Sequence, residues 1–124
     1  MKYANGTPTV LYNAMIKPLE NYNIKGMIWY QGESNSARPE QYQRLFAVWA
    51  KQNRALFRSK DLPIYYTEIA PVASPVDRPF QRAIFREVQL ESMHEVSNTG
   101  MAFTNDLGSE KFIHAPKNEK SDNA

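Results

Sequence analysis

The stretch "IKGMIWYQGESNS", Ile24 to Ser36, decides how the rest of the chain is read. An apolar run stops abruptly at Gln31 and gives way to Gly32, Glu33, Ser34 and Asn35. Short, β-branched or aromatic runs bounded by Gly or Asn read as strands. A strand that ends in a Gly flanked by amides and a carboxylate is either a turn with a helix cap or one side of a ligand site. Ser34, Asn35 and Ser36 are all able to cap a following helix. The two readings are compatible, because capping residues can stand beside a site.

Working outward, two more runs of the same kind follow: "LPIYYTEIA" (62–70) and "TGMAFTND" (99–106). Helical patterns lie before and between them. The first covers about Val10 to Asn21, with Leu11, Met15 and Leu19 at i, i+4 and i+8, and with Pro18 expected to kink its end. The second covers about Pro39 to Arg58. Its apolar stripe is Tyr42, Leu45, Phe46, Trp49 and Leu56, and Pro39 suits the first turn. The third covers about Pro79 to Val96, with Phe80, Ile84 and Val88 on one face. Strands alternating with helices of this length predict a parallel sheet joined by right-handed crossovers. All strands then end at one rim, where open α/β sheets collect ligands. The loops Gln31–Asn35, Glu68–Pro71 and Asn105–Gly108 would share that rim.

Composition narrows the function classes. At 124 residues, with 42% hydrophobic and 23% charged residues, the chain has the make-up of one globular domain or part of one. A formal net charge of +2, with basic residues scattered, gives no argument for nucleic acid. No apolar run approaches the roughly 20 residues of a membrane span. No apolar leader segment stands in the first residues. The chain has no Cys, so neither disulfides nor thiolate chemistry enter. Its two His residues have no ligand spacing around them, and no glycine-rich phosphate loop occurs. No cofactor or metal is therefore expected.

In "TNDLGSEKFIHAPKN", Asp106 closes the last strand and His114 follows eight positions later. An Asp that orients a His is hydrolase chemistry, although most loop histidines are merely solvated. His94, among Glu and Ser residues of a helix, reads as a surface residue. Gln31, Asn35 and the Gly32 N–H are the kinds of donor an oxyanion hole uses. Glu33 lacks the paired carboxylate that glycosidase chemistry requires.

Together "LYNAMIKPL", "IKGMIWYQGESN", "LPIYYTEIAP", "FREVQ" and "DLGSEKFIHAPKN" resemble, in this order, the sialate O-acetylesterase family. That family belongs to the SGNH (GDSL-type) hydrolases and is related to acetyl-xylan esterases. The resemblance covers nearly the whole chain and is to the second half of the family's catalytic domain. It implies a three-layer α/β/α fold with a flavodoxin-like parallel sheet, and removal of acetyl groups from sugars through a serine nucleophile. It implies His114 as the base, and Asp106 as the acid that orients it, with Glu110 as the alternative. Gln31 and Gly32 take the oxyanion and substrate-facing places, with Glu33 and Asn35 in the same loop. Enzymes of this kind are often secreted or periplasmic; the residues themselves give no compartment.

Two departures stand out. The family's "GQSN"-type nucleophile motif is not found in these residues, and Ser34 stands in the wrong motif to replace it. Near the end Ala115 intervenes where the family has His followed by Pro, and a polar tail follows. Residues 1–124 therefore read as a single partial domain of this type. Its partner would be an acetylated carbohydrate. The alternative is a non-catalytic module that binds sugars or another chain. The "GMIWYQ" strand is expected to form a sheet edge, through which copies self-associate unless additional sequence keeps the chain soluble.

Overall fold

The computed structural model describes residues 7–72 and 77–106. Its strands are β1 (Met27–Trp29), β2 (Ile64–Thr67) and β3 (Thr99–Ala102), in the order β1-β2-β3, with both pairs parallel. The register aligns Met27, Ile64 and Thr99 in one row, then Ile28, Tyr65 and Gly100, then Trp29, Tyr66 and Met101. Two long helices make the crossovers: α1 (Pro39–Leu56) and α2 (Gln81–Glu95). Ahead of β1, a π-helical turn (Tyr12–Ile16) runs into a 3-10 turn (Lys17–Leu19). These are the helical segments and parallel strands of the expected α/β/α arrangement, a truncated SGNH-type, flavodoxin-like fold.

α1 and α2 pack against each other and against the same face of the sheet, as expected of right-handed crossovers that step the same way across it. The rows that face them carry the core. Ile64 and Tyr66 are buried with Tyr42, Phe46 and Ala50 of α1 and Phe85 of α2, with Met27, Trp29 and Met101 packed against them. The opposite face is open: Ile28 is 86% exposed and Tyr65 58% exposed.

Three helix details differ from the sequence reading. On α1 the buried line is Tyr42, Phe46, Ala50 and Asn53, a tighter i, i+4, i+8, i+11 path. Leu45 points away from it and is half exposed. On α2 the expected face, Phe80, Ile84 and Val88, is displaced by one position. Phe85, Gln89 and Ser92 are buried instead, while Phe80 and Ile84 are exposed. Apolarity alone misjudged that face, because two of its buried side chains are polar and hydrogen-bonded. Ser92 Oγ donates to the Val88 carbonyl (2.8 Å) and Gln89 Oε1 accepts the Ile69 N–H (3.0 Å). The first helix is not α-helical through Asn21, since Pro18 falls in its 3-10 end, and none of Tyr12–Leu19 is buried.

α1 ends in a built cap. Arg58 takes a left-handed φ of 53° just beyond it, and the Arg54 guanidinium donates to the carbonyls of Leu62 (3.2 Å) and Ser97 (2.6 Å). One cation thus ties the end of α1 to the residues just before β2 and β3.

Candidate functional site at the carboxyl edge of the sheet

Parallel strands bring their carboxyl ends to one edge, and the segments leaving β1, β2 and β3 all start there. The chain leaves β1 through Tyr30, Gln31 and Gly32 into a 3-10 turn, Glu33–Asn35. Gly32 is required by packing. A Cβ on it would lie 2.8 Å from both Ile69 Cγ2 and Phe85 Cε1, and its φ is 154°. The close approach is therefore to the protein's own core, and it presses the loop down onto the segment after β2.

Above Gly32 the loop is held by polar contacts. Gln31 Nε2 donates to Asn35 Oδ1 (2.7 Å), which fixes the amide and leaves its second N–H to point elsewhere. The Tyr42 hydroxyl donates to the Gln31 carbonyl (3.4 Å). Gly32 accepts the Asn35 N–H (2.8 Å), and buried Ser36 accepts from Gln81 Nε2 (3.0 Å). Ser34 is exposed and its carbonyl meets Arg38 (3.5 Å); no acid–base partner of its hydroxyl is found among the described residues.

After β2, Glu68 is buried and accepts the Thr104 N–H (2.6 Å), so its carboxylate holds the segment that leaves β3. That segment continues to Asn105, which accepts from Arg86 of α2, and to Asp106, which is exposed. Gln31, Gly32, Glu33, Asn35 and Asp106 thus all follow strand ends at one edge, with β2 between the two groups. His114 and Glu110 lie outside the described residues.

A pocket of about 280 Å³ opens beside the first loop, lined among others by Trp29, Trp49, Tyr42, Gln31 and Asn35. The Trp29 and Trp49 rings lie 4.2 Å apart, tilted by 33°. Burial pushes the Tyr42 phenol up from its ordinary value, partly offset by the nearby Gln89 amide and Trp29 indole. Burial likewise raises Tyr66, whose hydroxyl donates to the Gln89 carbonyl (2.6 Å). Tyr30 is raised by desolvation and then by the neighbouring Glu33 carboxylate. Among the described residues no group of three or more His, Cys, Asp or Glu could hold a metal ion, and no helix is long and apolar enough to cross a membrane.

Sequence reasoning placed Glu68 in a rim loop but gave it no role, and did not single out Gln89. Gln89 is fully buried, yet it ties the segment after β2 to α2 through its side chain and β2 to α2 through its carbonyl. The usable signal was a polar residue inside an apolar run, as in "YYTEIA" and "FREVQL". Buried polar groups are usually hydrogen-bonded, as Glu68 Oε1 and Gln89 Oε1 are, while Gln89 Nε2 has no partner among the described residues.

Comparison with known proteins adds to this geometry. A family model described as carbohydrate esterase, sialic acid-specific acetylesterase, matches residues 1–121. The sialate O-acetylesterase of Mus musculus is 64% identical over 28 residues, which are 23% of this chain and 5% of that protein. The Homo sapiens sialate O-acetylesterase is 67% identical over 27 residues, 22% of this chain and 5% of that protein. The crystal structure of a carbohydrate acetylesterase from Xanthomonas citri superposes with a TM-score of 0.80 at 36% identity, covering 91% of this chain and 27% of that one. The chain thus corresponds to about a quarter of the solved relative, and its matches span a twentieth of the curated ones.

Proposed function

We propose, from the premise that the chain belongs to the sialic acid-specific acetylesterase family of carbohydrate esterases, that it forms part of a hydrolase removing O-acetyl groups from sugars. The observation that carries this reading is the Gln31–Asn35 amide pair (2.7 Å), held at the carboxyl edge of a parallel sheet beside an open pocket. An amide fixed by a neighbour before substrate arrives is a preorganised donor, the property an oxyanion site needs. In the proposed mechanism a serine attacks the acetyl carbonyl, His114 moves the proton, Asp106 (or Glu110) orients the imidazole, and Gln31 and Gly32 stabilise the oxyanion. Glu33 and Asn35 shape the same loop.

These 124 residues contain no "GQSN"-type serine motif, so the isolated chain is expected to contribute site residues without completing acyl transfer. Its hydrolysis of an aryl acetate should stay at background. A burst of acyl-enzyme, abolished by Ser34→Ala, would overturn this and give Ser34 the nucleophile's place.

The second reading, a non-catalytic binding module, is favoured by the same missing serine. It predicts that the chain binds an O-acetylated sialoside with an affinity that Gln31→Ala weakens, again without turnover. Self-association through the β1 edge is proposed for the isolated chain, because among the described residues β1 is bonded to β2 alone.

A further inference from the structure

The bonds between β2 and β3 repeat along the sheet and then change at one residue. Ile64 N–H donates to the Asn98 carbonyl (3.1 Å), and four residues on, at the same offset, Glu68 N–H donates to the Ala102 carbonyl (3.1 Å). Bonds of a parallel ladder are evenly spaced, so the next would run from the Thr104 N–H to the Glu68 carbonyl. It runs to the Glu68 carboxylate instead, at 2.6 Å. One residue thus grips the chain leaving β3 twice, by its backbone at Ala102 and by its side chain at Thr104. Asp106 stands two positions beyond the second grip.

We propose, resting on the reading of Asp106 as the acid that orients the base, that Glu68 is a positioning residue for Asp106. Its carboxylate fixes where the segment after β3 turns, and it takes no proton in the reaction.

Glu68 is itself held rigidly. It is buried, its own N–H is bonded to Ala102, and the next N–H, that of Ile69, is bonded to the Gln89 side-chain oxygen (3.0 Å). Ile69 in turn lies under Gly32. The residue that grips the Asp106 segment is therefore one peptide bond from the residue that seats the Gln31 loop. Both sides of the candidate site take their spacing from the dipeptide Glu68-Ile69. A carboxylate that accepts a backbone N–H makes a short, charge-assisted bond, about twice as strong as a neutral one. Among the described residues the ion pairs are Lys17–Glu20 and Arg82–Asp77, so the Thr104 N–H, not a cation, meets the Glu68 charge there. Asn105 accepts from Arg86 of α2, so the two residues ahead of Asp106 are fixed from β2 and from α2. Such placement matters, because a reacting group displaced by about 1 Å can lose roughly a hundredfold in rate.

Two substitutions in the full chain separate reach from charge. Glu68→Gln keeps an acceptor oxygen at the same reach and removes the charge. Glu68→Asp keeps the charge and withdraws the oxygen by one methylene. The readouts, both by NMR, are hydrogen exchange of the Thr104 amide and titration of the His114 imidazole, with His94, exposed on α2, as internal reference. Asp106→Asn alone should lower the proton affinity of His114 at least fivefold. Glu68→Asp should speed Thr104 exchange at least tenfold and lower the His114 affinity toward the Asp106→Asn value. The two combined should lower it no further than Asp106→Asn does. Glu68→Gln should leave both readouts within twofold of wild type. If Asp106→Asn leaves His114 unchanged, the reading of Asp106 fails and its positioning by Glu68 fails with it. If Asp106→Asn lowers the affinity and Glu68→Asp does not, that reading stands and the positioning role is overturned. If Glu68→Gln lowers it as far as Glu68→Asp, the charge of Glu68 acts on the imidazole directly, which also overturns the role. Should Glu68→Asp fail to fold, the wild-type chain still decides. A Thr104 amide that exchanges as fast as in an unstructured peptide has no such bond in solution, and the role falls.

Discussion

Gly32 shows how one residue joins the core to the candidate site. Its missing side chain lets the loop rest on Ile69 and Phe85, so the backbone that carries Gln31 and Asn35 is set by core packing. Gly32→Ala places a carbon 2.8 Å from two core atoms in a backbone conformation that disfavours side chains. Phe85 is fully buried and cannot swing aside, so the loop must lift. Overpacking of this kind costs about 1–3 kcal/mol. The urea midpoint should fall accordingly, and the amide resonances of Gln31 and Asn35 should shift with it. A midpoint unchanged within error would mean that the loop is not seated on the core.

At the scale of elements, the period-2 pattern of strands is tested by neighbours. Tyr65 and Tyr66 are adjacent and chemically identical, yet they are 58% and 2% exposed. Tyr65→Thr should change stability by less than about 0.5 kcal/mol, the usual range for surface positions. Tyr66→Ala should cost about 3–5 kcal/mol, the range for emptying a large aromatic from a core. Comparable losses for the two would contradict the one-sided packing of the sheet.

The same elements show what was legible in the sequence. The parallel order was readable because "GMIWYQ", "LPIYYTEIA" and "TGMAFTND" alternate with helix-length patterns, and chirality then leaves few arrangements. The start of α1 at Pro39 was readable from proline chemistry. The buried faces of the helices were readable only in part: Tyr42 and Phe46 of the expected α1 stripe are buried, whereas the expected α2 face is not the buried one. Leu45 is apolar but faces the open β1 edge, and Gln89 is polar but fully buried, its side-chain oxygen hydrogen-bonded inside. Facing is decided by which strand lies beneath, and that is long-range information. At the site, strand ends named the Gln31–Asn35 loop, the Glu68–Pro71 loop and Asp106, but the role of Glu68 was not readable because it depends on Thr104, 36 residues away.

For the whole molecule, the two buried phenols couple stability to pH at the alkaline end. Tyr66 and Tyr42 both sit in the layer between sheet and helices, and burial raises each above the ordinary value of 10.0. Below pH 10 the folded and unfolded chains both keep these protons, so neither group contributes pH dependence there. Above it the unfolded chain releases protons that the native chain retains. The native state then binds more protons, and stability must fall as pH rises. The loss continues until the folded values are reached, with a limiting slope of about 1.4 kcal/mol per pH unit for each group. The urea midpoint should therefore drop steeply beyond pH 10, and the last tyrosinate absorbance should appear only together with loss of helical ellipticity. Tyr66→Phe separates linkage from packing. It removes the hydroxyl bonded to the Gln89 carbonyl, a pH-independent loss of about 1 kcal/mol. It should also make the decline above pH 10 shallower, because one of the coupled protons is gone. An equal slope in the variant would show that Tyr66 ionises in the native state as freely as in the unfolded one, and that the layer around it admits water.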